Sequence, residues 1–156
     1  MKNKEVVALS HTFMQVGSVS GKKLAYVVSK NIARVKSALT PGNEILKETP
    51  EYLEYEKKRT DLCMEYCEKG EDGQPRIENQ NYVIATEKMT EFNGKVEELK
   101  KEHEAVLDVM DEKRKKYQEF LEEESTFEPY KIKMEDVPEN ITPNQLQWIM
   151  GIIDEE

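Results

Sequence analysis

The groups in this chain with the capacity for chemistry are few and widely spaced. Its histidines are His11 and His103 and its cysteines Cys63 and Cys67, set among 32 Asp and Glu residues. Cys63 and Cys67 stand four residues apart in a helical pattern. One helical turn does not bring two side chains into ordinary disulfide geometry, and two thiols do not complete a metal site, so buried free thiols are expected. Carboxylates recur at intervals that suit a metal, Glu98 with Glu102 and Glu104 with Asp108. A helical carboxylate site also needs a Glu-x-x-His motif on more than one helix, and the residue three before His103 is Lys100. These acids are read as the solvated flanks of an apolar seam, with His103 as a packing residue inside it. His11 precedes a glycine-bearing stretch, and spacing supplies it no orienting partner. The stretch GSVSGKK, from Gly17 to Lys23, places glycines and serines before a helix start, where backbone amides can hold an anion. It lacks the full GxxxxGK[ST] spacing and the hydroxyl that would meet magnesium, so it is read as a loop and N-cap. No Ser-His-Asp order or Cys-His arrangement has a supporting context. The residues therefore point to a protein that is not an enzyme, carries no cofactor or metal, and acts by binding.

The elements that must position a binding surface are helical. At 156 residues the length suits one helix-dominated domain, 1–156. Apolar residues make up 37% and charged residues 35%, a composition that long amphipathic helices tolerate when they pair with one another. No apolar run approaches the ~20 residues needed to span a bilayer, and MKNKEVVALS has no sustained apolar region or cleavage site, so neither a membrane span nor a leader is expected. Charge is unevenly placed: residues 1–40 carry seven Lys/Arg against one acid, and residues 41–156 carry sixteen against thirty-one. A net charge of -9 repels nucleic acid at long range, which disfavours general nucleic-acid binding. The basic first segment is expected to dock on acidic helices of the same chain or of a second copy.

Along the chain, Glu5 to Leu9 reads as a short strand. Ser20 caps a helix carrying Leu24, Val28, Ile32, Val35 and Leu39, which should stop near Thr40, before Pro41 and Gly42. A second helix begins after Thr49 with Pro50 in its first position and runs to Gly70. Asp72 and Gly73 form a reverse-turn pair, and strands at Arg76–Ile77 and Tyr82–Ile84 should make a small hairpin. Tyr130–Met134 reads as a strand able to join that hairpin as a third. At the end, Thr142, Pro143 and Gln145 spell a capping box that opens a short helix bearing Leu146, Trp148, Ile149, Ile152 and Ile153.

The longest element lies between these. Met89, Phe92, Val96, Leu99, His103, Val106, Met110, Lys113, Tyr117 and Phe120 alternate at steps of three and four, the seam of a coiled coil on one helix over 86–124. Such a helix would extend roughly 57 Å. Gly94 weakens it locally by roughly 1 kcal/mol and suggests a bend or close approach. The expected fold is mainly α (α+β): a long antiparallel helical hairpin or coiled coil, which could project as an arm, with a β-hairpin or three-stranded sheet and a short C-terminal helix. Met89, Phe92, Val96, Leu99, His103, Val106 and Met110 are the candidates for a homo-oligomer interface. Lys113, Arg114, Tyr117, Phe120 and Trp148 are the candidates for contact with a partner, as aromatic anchors ringed by charge.

The middle segment EYEKKRTDLCMEYCEKGEDGQPRIENQNYVIATEKMTEFNGKVEEL combines a charged helix ending in YCEKGEDGQP, a tyrosine-bearing segment and a Phe-x-x-x-Val-Glu-Glu-Leu helix. It resembles small uncharacterised accessory proteins of tailed phages and prophages of Gram-positive bacteria, over roughly residues 54–99, with a looser echo in YKIKMEDVPENITPNQLQWIM. The resemblance implies an accessory or structural phage protein with no established activity; joined to the helical reading above, the leading expectation is an accessory protein in the host cytoplasm that forms a homo-oligomer and binds a host, defence or phage protein. A virion structural or assembly protein and a binder that sequesters a small phosphorylated ligand are the alternatives.

Overall fold

The first helix forms where a strand is expected. In a computed structural model of the chain, which describes residues 1–16 and 21–154, α1 spans Asn3–Val16. Val6, Leu9, Phe13 and Val16 repeat at steps of three and four, and Val6 and Phe13 are wholly buried. That stripe outweighs the short β-branched run that suggests an extended Glu5–Leu9. α2 spans Lys22–Ile45 and continues through Pro41 and Gly42, beyond the expected stop at Thr40. Ser20 and the loop 17–20 lie outside the described residues; the N-cap of α2 is Gly21, at φ 142°. A Cβ there would stand 2.5 Å from Cγ of Pro138, so glycine serves both the backbone angle and the close approach.

The contacts divide the chain into two compact units, Met1–Leu46 with Lys115–Glu156, and Lys47–Arg114. In the first, α1 packs on α2 around Phe13, Leu24, Val28, Val35, Ile149 and Ile152. The C-terminal helix α6 (Pro143–Ile149) starts as expected: Thr142 accepts from the Gln145 amide and Gln145 accepts from the Thr142 amide. Strand β3 (Ile132–Lys133) does not join a hairpin. It pairs in parallel with β4 (Ile153–Asp154), Ile132 opposite Ile153, because burial of these isoleucines and of Ile149 and Ile152 draws the two segments together. Buried Asn31 on α2 holds the chain just before β3 with two hydrogen bonds, Nδ2 donating to the Tyr130 carbonyl at 2.9 Å and Oδ1 accepting from the Tyr130 amide at 2.7 Å.

In the second unit, α3 (Pro50–Tyr66) starts as expected, with the Thr49 side chain accepting from the Tyr52 amide. It ends at Tyr66 and not at Gly70, because residues 67–69 are taken into β-bridges, Cys67 with Ile84 and Lys69 with Pro75. The expected hairpin is present as β1 (Ile77–Glu78) and β2 (Asn81–Tyr82). Asn79 and Gln80 both have positive φ in its two-residue turn, the geometry that matches strand twist. After a 3-10 turn at Thr86–Lys88, the helix expected over 86–124 is interrupted. α4 spans Met89–Glu102, α5 spans Glu104–Glu122, and His103 breaks them at φ -110°, ψ 19°. Gly94 is not the bend, and nothing stands within 4 Å of a Cβ placed on it. The chain is thus mainly helical, with a small two-stranded hairpin and a short C-terminal helix.

Candidate functional site

The middle of the seam faces inward within one chain. Leu99 and Met110 are buried with Tyr52 and Tyr55 of α3, and Val106 packs against them. Phe92 meets the Tyr66 ring at 5.9 Å, and the Tyr66 hydroxyl donates to Glu91 at 2.8 Å. That bond, helped by burial, pushes the Tyr66 hydroxyl up to about 12. His103 lies 5.6 Å from the Tyr55 ring, and its Nε2 is 3.2 Å from the Lys58 ammonium, which also pairs with Glu102. Val96 is half-buried and Met89 is exposed. These contacts occur in opposite chain order on α3 and on α4–α5: Tyr66 with Phe92, Lys58 with Glu102, and Tyr52 with Arg114, at 3.4 Å between hydroxyl and guanidinium.

The expected partner contacts are largely engaged. Lys113 donates to the Lys47 carbonyl at 2.6 Å, and Arg114 pairs with Asp111. Tyr117 stacks on Phe120, and Phe120 is buried beneath Gly42, a core contact and not an exposed anchor. Trp148 is half-buried against the core of the first unit. Cys63 and Cys67 are free thiols; burial raises the Cys63 pKa, and the Cys67 thiol donates to the Met64 carbonyl at 3.2 Å. Glu98 pairs with Lys95 and Glu102 with Lys58, as solvated flanks of the seam would. Among the described residues, no group of three or more His, Cys, Asp or Glu is placed to hold a metal ion.

The most distinctive surface lies in the first unit, where the start of α2 faces β3 across a pocket of about 430 Å³. The sequence builds it in three steps. Asn31 fixes the Tyr130 backbone, which sets the Tyr130 ring edge-on to Tyr26, with centroids 6.0 Å apart and planes at 82°. Arg34 reaches the Glu128 carbonyl at 2.9 Å and lies 5.3 Å from the Tyr130 ring, while Lys30 stands 5.5 Å from the Tyr26 ring. Strand alternation then buries Ile132 and leaves Lys131 and Lys133 exposed on either side of it, and all three line the pocket together with Lys22 and Lys23. Four lysines thus line the pocket with Asp136 as its acidic lining residue. Lys23 is paired with Asp136, which raises the lysine's pKa through hydrogen bonding and charge. Lys131 donates to the Gly151 carbonyl at 3.1 Å, and Lys133 has Glu135 at 4.0 Å. No ion-pair partner of Lys22 stands among the described residues.

An ammonium cluster beside an aromatic ring binds anions with planar attachments, by charge-assisted hydrogen bonding on one side and ring contact on the other. The basic character of the first segment is plain in the sequence, but the contribution of Lys131 and Lys133 is not singled out there. The K-I-K alternation was the signal for it. No protein-family model matches the chain, and no curated protein or solved structure matches it.

Proposed function

We propose that this chain is a phage- or prophage-type accessory protein that works by binding a host or phage protein in the cytoplasm, and that its contact surface is the basic face of α2 and β3. The observation that carries the reading is the concentration of Lys22, Lys23, Lys30, Arg34, Lys131 and Lys133 on one face of a chain of net charge -9. A like-charged excess held together on a folded surface costs self-repulsion and is relieved when an acidic surface docks, which also steers the encounter. In the second unit, α3 and α4–α5 act as an antiparallel coiled-coil hairpin that covers its own seam. A homo-oligomer, in this reading, uses the outer faces that carry exposed Leu53, Met64 and Val109.

The test is quantitative capture of the tagged chain from Gram-positive cells, comparing wild type with Lys22→Glu/Lys131→Glu and with Lys95→Glu in the second unit. A protein retained by wild type and by Lys95→Glu, and depleted about tenfold or more by the double reversal, supports the reading. An identical set retained by all three refutes it. Capsid or tail proteins among those lost would place the same surface in virion assembly.

A further inference from the structure

We propose that the apolar pocket between the β3–β4 pair and the C-terminal helix α6 takes the apolar face of a basic amphipathic helix presented by a partner protein. This surface is distinct from the basic face of α2 and β3, since it fits a segment of the opposite charge.

The pocket has a volume of about 520 Å³, larger than the one beside α2. Its apolar lining is Met134, Leu146, Met150 and Ile153. Leu146 and Ile153 are half-buried and pack on the core that holds Ile149 and Ile152, which fixes them in place. Met134 and Met150 begin two separate 3-10 turns, Met134–Asp136 and Met150–Ile152, and remain 56% and 59% exposed. Parallel pairing of Lys133 with Asp154 holds the two turns together, and so does Lys131, which donates to the Gly151 carbonyl at 3.1 Å. A single exposed apolar side chain needs no explanation. Two that line one cavity with a leucine and an isoleucine form a contiguous patch of the kind that marks an interaction site. Methionine also suits that role, because its unbranched thioether adapts to the shape of an incoming side chain.

Charge identifies the occupant. Residues 134–156 contain six Asp and Glu and no Lys or Arg. Two of those acids, Glu135 and Asp154, line the pocket with Lys133. The Lys133 ammonium has Glu135 at 4.0 Å, and Asp154 is its register partner across the strands. One lysine against two carboxylates leaves the rim acidic, and the net charge of -9 attracts a cationic segment from a distance. An apolar cavity with an acidic rim fits a helix whose large apolar residues, three and four positions apart, enter the cavity while its Lys or Arg meet the carboxylates. An acidic helix would be repelled by Glu135 and Asp154.

The probe is a fluorescently labelled peptide of leucine and lysine about 18 residues long, with its leucines at helical spacing. Anisotropy is read as the purified full chain is added at about 0.15 M salt. This peptide is expected to bind about tenfold or more tightly than one with glutamate for lysine, and than one with alanine for leucine. Met134→Gln/Met150→Gln should weaken it about tenfold, whereas Leu53→Gln/Val109→Gln, at exposed apolar positions of the second unit, should not. Glu135→Lys/Asp154→Lys should weaken the lysine peptide and strengthen the glutamate one. Lys22→Glu/Lys131→Glu should not weaken the lysine peptide, which separates this pocket from the basic face. All the substituted residues are exposed, so the variants keep the fold, which circular dichroism checks. No binding up to roughly 0.1 mM, equal binding of the lysine and glutamate peptides, or indifference to the two methionines would each overturn the inference. So would sedimentation in which the chain alone forms a dimer that Met134→Gln/Met150→Gln splits, because a second copy would then close the pocket.

Discussion

Two glycines in helices have opposite surroundings, and the difference determines what alanine does at each. Gly42 sits in the last turn of α2, where an added Cβ would lie 2.4 Å from Cε1 and 2.7 Å from Cδ1 of Phe120, and 3.1 Å from Tyr117. Phe120 is buried and stacked on Tyr117, so its ring has little room to withdraw. Gly42→Ala is therefore expected to destabilise by about 1–3 kcal/mol through overpacking, despite alanine's better helix propensity. Gly94, inside α4 with nothing within 4 Å of its would-be Cβ, carries only the entropic cost of glycine. Gly94→Ala should stabilise by about 0.5–1 kcal/mol. Urea denaturation of both variants checks the pair, and a stabilised Gly42→Ala would show that Phe120 does not lie beneath it. In the sequence the two glycines are not distinguishable in this respect, because only the folded chain brings a residue 78 positions away onto one of them.

The joining of elements shows the same division between local and distant signals. The start of α1 is tied to the end of α5 by Lys2 and Lys4, each 2.8 Å from the Glu122 carboxylate. Hydrogen bonds from these lysines hold the Glu122 carboxyl down from 4.5 to about 2. A carboxylate with a depressed folded-state pKa contributes stability that is fully present above 4.5, declines as pH falls, and is gone once the pH passes below about 2. Glu122→Gln should thus unfold at lower urea than wild type near neutral pH, with the two midpoints converging on acidification across that window. Added salt should narrow the gap as well, since the pairs are exposed and screened. A gap independent of pH would show that the pairs do not form in solution.

Elements signalled within a few residues are legible in the sequence. The Thr142 capping box and the Thr49–Pro50 start are local chemistry, and the heptad positions from Leu99 to Met110 do face the core. What escapes is decided at long range. Burial of Val6, Phe13 and Val16 makes a helix of the expected strand, packing of Gly42 accompanies α2 beyond Pro41, and β3 takes β4 as its partner across twenty residues of chain. The candidate pocket is half legible for the same reason. Its α2 lysines stand out as a basic run, whereas their meeting with Lys131 and Lys133 depends on the Asn31 bridge to Tyr130.

At the scale of the molecule, the two units have separate apolar cores. One gathers around Phe13, Leu24, Val28, Ile149 and Ile152, and the other around Tyr52, Tyr55, Leu99 and Met110. Among the described residues none belongs to both clusters, so a lesion in one should open that unit without directly removing the apolar contacts of the other cluster. Val106 distinguishes this arrangement from a seam between two copies, because it packs on the second cluster inside its own chain. A glutamate there puts an unpaired carboxylate against Leu99 and Met110, a loss of about 2–4 kcal/mol by the usual cost of burying an unpaired polar group and disrupting a core contact. Hydrogen exchange read by mass spectrometry should then show Val106→Glu opening amides in α3 and α4 while those of α1 and α2 keep their protection. A seam between copies predicts a different result: the assembled mass falls to that of one chain, and exchange in α3 rises no more than elsewhere. The measurement thus reports on the site as well, for if the first unit keeps its protection, the Asn31 bridge and the pocket it frames are held by the first core alone.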